Sequence, residues 1–267
     1  MVMIPSLGIV SVATNIYLEY WKVQAASVDR NVPGDLQITI HIFTDRPEEA
    51  NKFGLTLTNL NVKAHRIPAY GWPEATLYRY RIFSEHLDHI SEDVVMYLDA
   101  DMLVHESLQP SYFLNAAADR ATLVRHPGYY RPKGFRRIGL YLRKPGLIIS
   151  DVYSSLRLGG LGAWETNPSS AAFVGRKRRH AYYCGGTWWA PRKVFESLVS
   201  ELDLRVTRDE EKGVMAIWHD ESHINWWGAN HPHNTQSPAF CYSTSYPWLN
   251  GVGMIIQAVD KVDSTRS

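Results

Sequence analysis

The strongest constraint on the fold is an alternation of two hydrophobic periods through the first hundred residues. Gly8–Ala13 is a β-rich apolar run, followed by a helical pattern from about Asn15 to Val28. Gln37–Phe43 (QITIHIF) alternates strongly and ends at Thr44-Asp45, Pro47 opens a new element, and Val62–Ile67 is a weaker strand. Pro73-Glu74 starts a helix that runs to about His89, with Leu77, Tyr80, Phe83 and Leu87 near helical spacing. Val94–Leu98 is then a buried strand that stops at Asp99. Strand and helix in turn predict an α/β chain with a mainly parallel sheet. Ligands bind beyond the carboxyl ends of such strands, where Asp45 and Asp99 both fall.

The later chain is less regular. Residues 131–162 carry Pro, Gly and basic residues without a clear period and read as a long loop or insertion. Order returns at Tyr182 with a Gly-Gly turn, a helix around Arg192–Leu202 and another beginning near His219. A chain of 267 residues makes one large domain or two small ones sharing a core. Its net charge of +1 supplies no global field for nucleic acid or an anionic membrane. The basic run 176–180 (RKRRH) stands outside any nucleic-acid motif and reads as a mobile basic loop or a solvated turn. Cys184 and Cys241 make neither a disulfide framework nor a Cys-rich zinc pattern. The apolar start, residues 1–21, lacks a basic n-region and is interrupted by Asn15 and Glu19, so no transmembrane segment is expected there. A soluble protein of a reducing, cytoplasmic compartment is the expectation; oligomeric state is left open.

Two segments carry chemistry. In VVMYLDADMLV, Asp99 and Asp101 lie two apart at the end of an apolar strand. In extended backbone their carboxylates point the same way and can share a hard cation, Mn²⁺ or Mg²⁺, with phosphate oxygens. The plainer reading is a pair of polar residues ending a strand at a turn. In WHDESHINWW (residues 218–227), His219 and His223 are four apart on a helix, which invites a zinc-hydrolase reading. The pattern departs in detail, because Asp220 follows the first histidine and Glu221 is displaced onto another face. Nor can adjacent Asp220 and Glu221 straddle a glycosidic bond as hydrolase carboxylates do.

Taken in order, ATNIYLEYW, IFTDRP, LYRYRIFSE, YLDADM, HPGYY, WETNPSSAAFV, HAYYCGGTWW, IWHDESHIN and SPAFCYS resemble the glycosyltransferase family that contains the histo-blood-group transferases, family six. The resemblance implies a GT-A fold in a single catalytic domain. Residues 1–104 would form the nucleotide-sugar-binding half and residues 105–267 the acceptor-binding and catalytic half. It implies a UDP-sugar donor and retaining α-1,3 transfer of N-acetylgalactosamine or galactose to a β-galactoside, with or without fucose. Asp99 and Asp101 would hold Mn²⁺ (or Mg²⁺) and the diphosphate. Val12, Ala13 and Tyr17 fall where the family holds uridine, and Arg79, Ala100, Cys184, Gly185 and Asp220 fall beside the donor. Gly186 matches the glycine that leaves room for an N-acetyl group, and Lys261 a lysine that closes over the diphosphate. Glu221 matches the carboxylate beneath the anomeric carbon, as nucleophile or as electrostatic stabiliser. His126 and Trp218 match acceptor contacts. Ser243 stands where mammalian members carry an acidic acceptor contact, and many bacterial relatives replace both aspartates by asparagine, whereas this chain keeps them. A carbohydrate-binding module without catalysis is the alternative.

Overall fold

Strand β1 (Leu7–Val12), β2 (Ile38–Thr44) and β4 (Val94–Leu98) are buried almost throughout, as strands become when helices cover both sheet faces. A computed structural model describes residues 6–34, 36–114 and 119–259. Between β1 and β2 runs α1 (Tyr17–Arg30), which buries Leu18, Trp21, Ala25 and Val28, one face at helical spacing. Next, α2 (Pro47–Gly54) starts on a proline with two glutamates in its first turn and leads to β3 (Asn61–Arg66), a polar edge strand. The helix expected from Pro73 to His89 is broken into α3 (Glu74–Leu77), α4 (Arg79–Glu85) and a 3₁₀ turn. Tyr78, at φ −87° and ψ 4°, leaves helical geometry, and Arg79 therefore opens α4 as a buried residue.

β1 pairs in parallel with both β2 and β4, and β2 with β3. Short β5 (Met102–Val104) then leaves the main sheet, and the chain passes α5 (Ser111–Leu114) to β6 (Ala121–Arg125). The sequence reading of 131–162 as a loop is corrected here. These residues form α6 (Phe135–Arg143) and α7 (Pro145–Leu158). Pro145 sits at the α7 start and Gly159, at φ +80°, ends it, so residues that look like breakers act as caps. Their apolar side chains do recur at helical spacing, but they face solvent.

Strand β7 (Tyr183–Pro191) runs antiparallel between β4 and β6. α8 (Arg192–Glu211) extends past the expected Leu202, since Val206 and Asp209 continue its buried face and no breaker occurs before Gly213, at φ +63°. α9 (His219–Asn230), β8 (His233–Gln236) and β9 (Ile256–Ala258) complete the chain, β9 pairing with β5. The sheet order β3-β2-β1-β4-β7-β6-β8 is mainly parallel with helices on both faces, the expected Rossmann-like, GT-A-type architecture. Alternate residues feed two cores: Ile9, Met96 and Leu98 pack with α1, while Val10, Val95 and Tyr97 pack with α4 and α8. Because the chain travels from β1 out to β3 and returns as β4 on the other side, the switch point lies between the ends of β1 and β4.

Candidate functional site

At that switch point β4 ends on Asp99, whose N–H donates to the Gly186 carbonyl at 2.9 Å and so ties the turn to β7. The extended-strand picture of the aspartate pair is corrected. Asp99, Ala100 and Asp101 form a tight turn closed by Met102 N–H to Asp99 O at 3.0 Å, so the two acids sit in a turn rather than two apart in extended backbone. Ser11 Oγ and the Gln24 amide, both buried, bind the carbonyls of Leu98 and Asp99 and hold the turn from beneath. Ala100 is buried in the core, and its aspartate neighbours are partly open.

Arg79 is the hub. Its guanidinium is buried, 4.5 Å from the Tyr97 ring centroid, and donates to Asp99 Oδ1 at 3.3 Å and to the Gly185 carbonyl at 3.4 Å. It pairs with Asp220 Oδ2 at 3.0 Å. One cation thus joins carboxylates that are more than a hundred residues apart in sequence. Tyr97, two residues before Asp99 on the same strand face, donates its hydroxyl to Asp99 Oδ1. Tyr97 was missed at the sequence level, although strand periodicity alone puts it beside Asp99.

The opposite wall is the start of α9. His219 has φ +43°, a left-handed conformation uncommon outside glycine, asparagine, aspartate and histidine, and the chain turns there into the helix. The Gly185 N–H donates to Glu221 Oε2 at 2.8 Å, and the Tyr80 hydroxyl donates to the Asp220 carbonyl at 3.0 Å. Asn225, one turn on, accepts from Tyr183 N–H and donates to Tyr183 O, both at 2.8 Å, which locks α9 to β7 in register. A Cβ at Gly185 would lie 3.0 Å from Asp220 Oδ2 and 3.1 Å from Glu221 Cβ, so this glycine permits the approach. At Gly186 a Cβ would point at Asp99 Oδ2, 3.2 Å away, on the side of the cleft that faces the aspartate turn.

Loss of water raises both acids. Asp220 is pushed up to about 7 by burial, which outweighs its Arg79 partner. Glu221 is pushed up to about 7 by burial despite the Gly185 N–H and the Tyr182 hydroxyl, which pull it down. Two acids raised by burial beside one cleft make it the candidate functional site, with the Arg79–Asp220 ion pair as part of it.

Val12 and Ala13 close β1 at the switch point, and Tyr17 opens α1 beside them, half-buried. The Cys184 side chain, in contrast, turns into the core. Trp218 is 51% exposed at the rim, and the ring of exposed Trp72 stands edge-on to His219 at 5.3 Å. His126 accepts from Gly128 N–H through Nδ1 at 3.0 Å, and burial lowers it to about 4, so it is neutral at pH 7 with its proton on Nε2. Its ring packs against Tyr129 and Tyr182, the latter adjoining Glu221. Lys261 lies outside the described residues.

The two histidines of the zinc reading have separate surroundings: His219 meets Trp72, while His223 is fully buried, 3.6 Å from Asp209 of α8. Among the described residues, no group of three or more His, Cys, Asp or Glu side chains is placed to hold a metal ion. Of the two readings of the basic run at 176–180, the solvated turn describes Arg176–Arg178, an exposed 3₁₀ turn, and exposed His180. Arg179 departs from it: it is buried and donates to the carbonyls of Val174 and Leu158, which ties the run to the end of α7.

Residues 161–265 match glycosyltransferase family 6. The chain is similar to histo-blood group ABO system transferase 1 of Rattus norvegicus, 23% identical over 250 residues, covering 91% of this chain and 61% of the relative. It is also similar to globoside alpha-1,3-N-acetylgalactosaminyltransferase 1 of Gallus gallus, 21% identical, covering 91% of this chain and 63% of the relative. The O-antigen biosynthesis glycosyltransferase WbnI of Escherichia coli is 21% identical over 63% of this chain and 60% of its own length. The chain thus spans about three fifths of the length of the relatives it matches.

Proposed function

We propose that this chain is a retaining glycosyltransferase that moves N-acetylgalactosamine, or galactose, from a UDP-sugar in α-1,3 linkage to a β-galactoside. The observation that carries the reading is the cleft between Asp99 and Glu221: one acid sits at the sheet switch point, the other is held by Gly185 N–H at 2.8 Å, and Arg79 connects the two walls. Glycosyl transfer is also what the name of the WbnI relative prints, and α-1,3 transfer of N-acetylgalactosamine is what the name of the globoside relative prints.

Paired carboxylates are the donor type that a divalent cation takes, and Asp99 also carries Arg79 and the Tyr97 hydroxyl on Oδ1. Mg²⁺-type sites combine one or two carboxylates with substrate phosphate oxygens, and Asp99 and Asp101 supply two carboxylates in one turn at the cleft. When bound there it would neutralise charge on the departing diphosphate. The chain's own residues do the rest. Arg79 stays charged and fixes Asp99 and Asp220 relative to one another. Asp220 accepts from donor-sugar hydroxyls in this reading, with Arg79 holding its other side. Glu221, once ionised, faces the anomeric carbon as nucleophile or as the countercharge to an oxocarbenium-like ion. Trp218 offers a flat apolar face to the acceptor, and His126 offers an Nε2–H donor. Gly186, without a Cβ, favours UDP-N-acetylgalactosamine over UDP-galactose.

The test is a UDP-release assay over both donors, with lactose and fucosyl-lactose as acceptors, in Mn²⁺ and in EDTA. UDP release that depends on acceptor and cation is expected, and Glu221→Gln should lower it by about a thousandfold while donor binding persists. Unchanged turnover in Glu221→Gln would remove that residue from the chemistry. Sugar binding without turnover in the parent protein would instead make the chain a carbohydrate-binding module, the reading its exposed tryptophans otherwise allow.

A further inference from the structure

Helices α6 and α7 place large apolar side chains outward. On α6, Phe135, Ile138 and Leu142 are exposed, Phe135 by 92% and Leu142 by 79%. On α7, Ile149, Val152 and Leu156 are exposed, Ile149 by 74% and Leu156 by 70%. Each trio follows the spacing i, i+3, i+7, so each helix carries one stripe, and the two helices pack side by side. An apolar surface of this extent is unusual on a soluble protein and marks a place of association.

The charge around the stripes is equally one-sided. Residues 131–162 contain seven cations and a single acid, Asp151, so the remainder of the chain is net negative by five. Asp151 is consumed internally: it pairs with Arg131 at 2.8 Å and accepts from the Tyr141 hydroxyl at 2.8 Å. Lys133, Arg136, Arg137, Arg143, Lys144 and Arg157 form no salt bridge among the described residues. The pair is tied to the rest of the chain through α7. Arg131 also stacks over Trp248 at 4.7 Å, and Arg179 donates to the last-turn carbonyl of Leu158 at 2.7 Å. The outward apolar face therefore belongs to a helical pair anchored at Asp151 and at the end of α7.

From this juxtaposition we infer that the α6–α7 pair docks the protein on the surface of an anionic lipid bilayer. The stripes would enter the headgroup–acyl boundary, and the arginines and lysines would meet lipid phosphates from the flanks. A second copy of the chain fits less well, because a two-fold contact through this face would bring its unpaired cations against one another. Neither helix crosses the bilayer, since no helix among the described residues is long and apolar enough to do so. The pair lies in the membrane plane.

Sedimentation of the full chain with vesicles tests this without donor or acceptor, so its failure leaves the transferase reading untouched. The protein should pellet with phosphatidylcholine–phosphatidylglycerol vesicles at low salt, and much less with phosphatidylcholine alone or at high salt. Leu142→Ser with Leu156→Ser should weaken that binding at least about tenfold, because two leucines leave the lipid. Arg136→Gln with Arg137→Gln should reduce the preference for the anionic vesicles. Circular dichroism and melting curves of each variant should match the parent, since the altered side chains are exposed. Three results would overturn the inference: no binding to anionic vesicles, equal binding to both vesicle types, or a dimer at sedimentation equilibrium that the leucine variants dissociate.

Discussion

The cleft between β4, β7 and α9 and the helical pair α6–α7 are organised in opposite ways. In the cleft the charged groups have polar partners: Arg79 is held by Asp99, Asp220 and the face of Tyr97, and Glu221 by Gly185 N–H. In the helical pair Asp151 makes an ion pair with Arg131, no other salt bridge forms among the described residues, and the apolar side chains that would ordinarily build a core face outward. The cleft has the build of a place where atoms must be positioned within tenths of an ångström. The pair has the build of a surface whose partner supplies what is missing. The lesson is that satisfied and unsatisfied chemistry mark different kinds of function, one internal to the chain and one directed outside it.

The contrast can be broken most severely at its hub. Arg79→Met leaves Asp99 and Asp220 without their buried cation and should cost about 3–5 kcal/mol of stability, together with loss of transfer. Chemical denaturation measures the first effect, and a midpoint close to the parent's would show that the carboxylates do not depend on Arg79. Next in size is pH. Glu221 and Asp220 are both raised to about 7, so as pH falls below 7 they take up protons as a pair and the ionised form that the proposed transfer requires is lost. The rate should drop about tenfold or more per pH unit on the acid side. A flat profile down to pH 5 would mean that the cleft is wetter than its packing indicates.

Gly186→Ala is the subtler probe. Its Cβ would stand 3.2 Å from Asp99 Oδ2, and donor preference should move toward UDP-galactose by about 1–3 kcal/mol. Competition between the two donors reads that shift, and an unaltered ratio would place the N-acetyl group elsewhere. The smallest effect belongs to the other region. Leu156→Ser, exposed on α7, should change folding stability by no more than about 0.5 kcal/mol in the absence of lipid. A larger loss by thermal melting would show that the stripe packs against the protein after all.

How legible each region was follows from the range of the forces involved. The strands β1, β2 and β4 and the helices α1 and α8 could be read because hydrophobic period is a local property of the chain. The two helices within 131–162 were not read, because their stripes face solvent and their prolines and glycines resemble loop residues until a backbone shows them capping helix ends. In the run at 176–180 Arg179 departs from the solvated turn for a related reason. Arg179 satisfies backbone carbonyls from a buried position, which composition cannot distinguish from a solvated turn.

By itself the sequence determined the alternation that makes a parallel sheet, the placement of Asp99 at a strand's carboxyl end and, through resemblance, the identity of Glu221 as the acid to watch. Net charge alone hid the basic helical pair, since its excess of cations is cancelled elsewhere in the chain. Only the tertiary structure decided that Asp99 and Asp220 share one arginine, that Gly185 holds Glu221, and that burial lifts both acids toward neutrality. The reason is physical: periodicity is set by neighbours along the chain, whereas desolvation and ion pairing depend on groups that meet only when β4, β7, α4 and α9 converge.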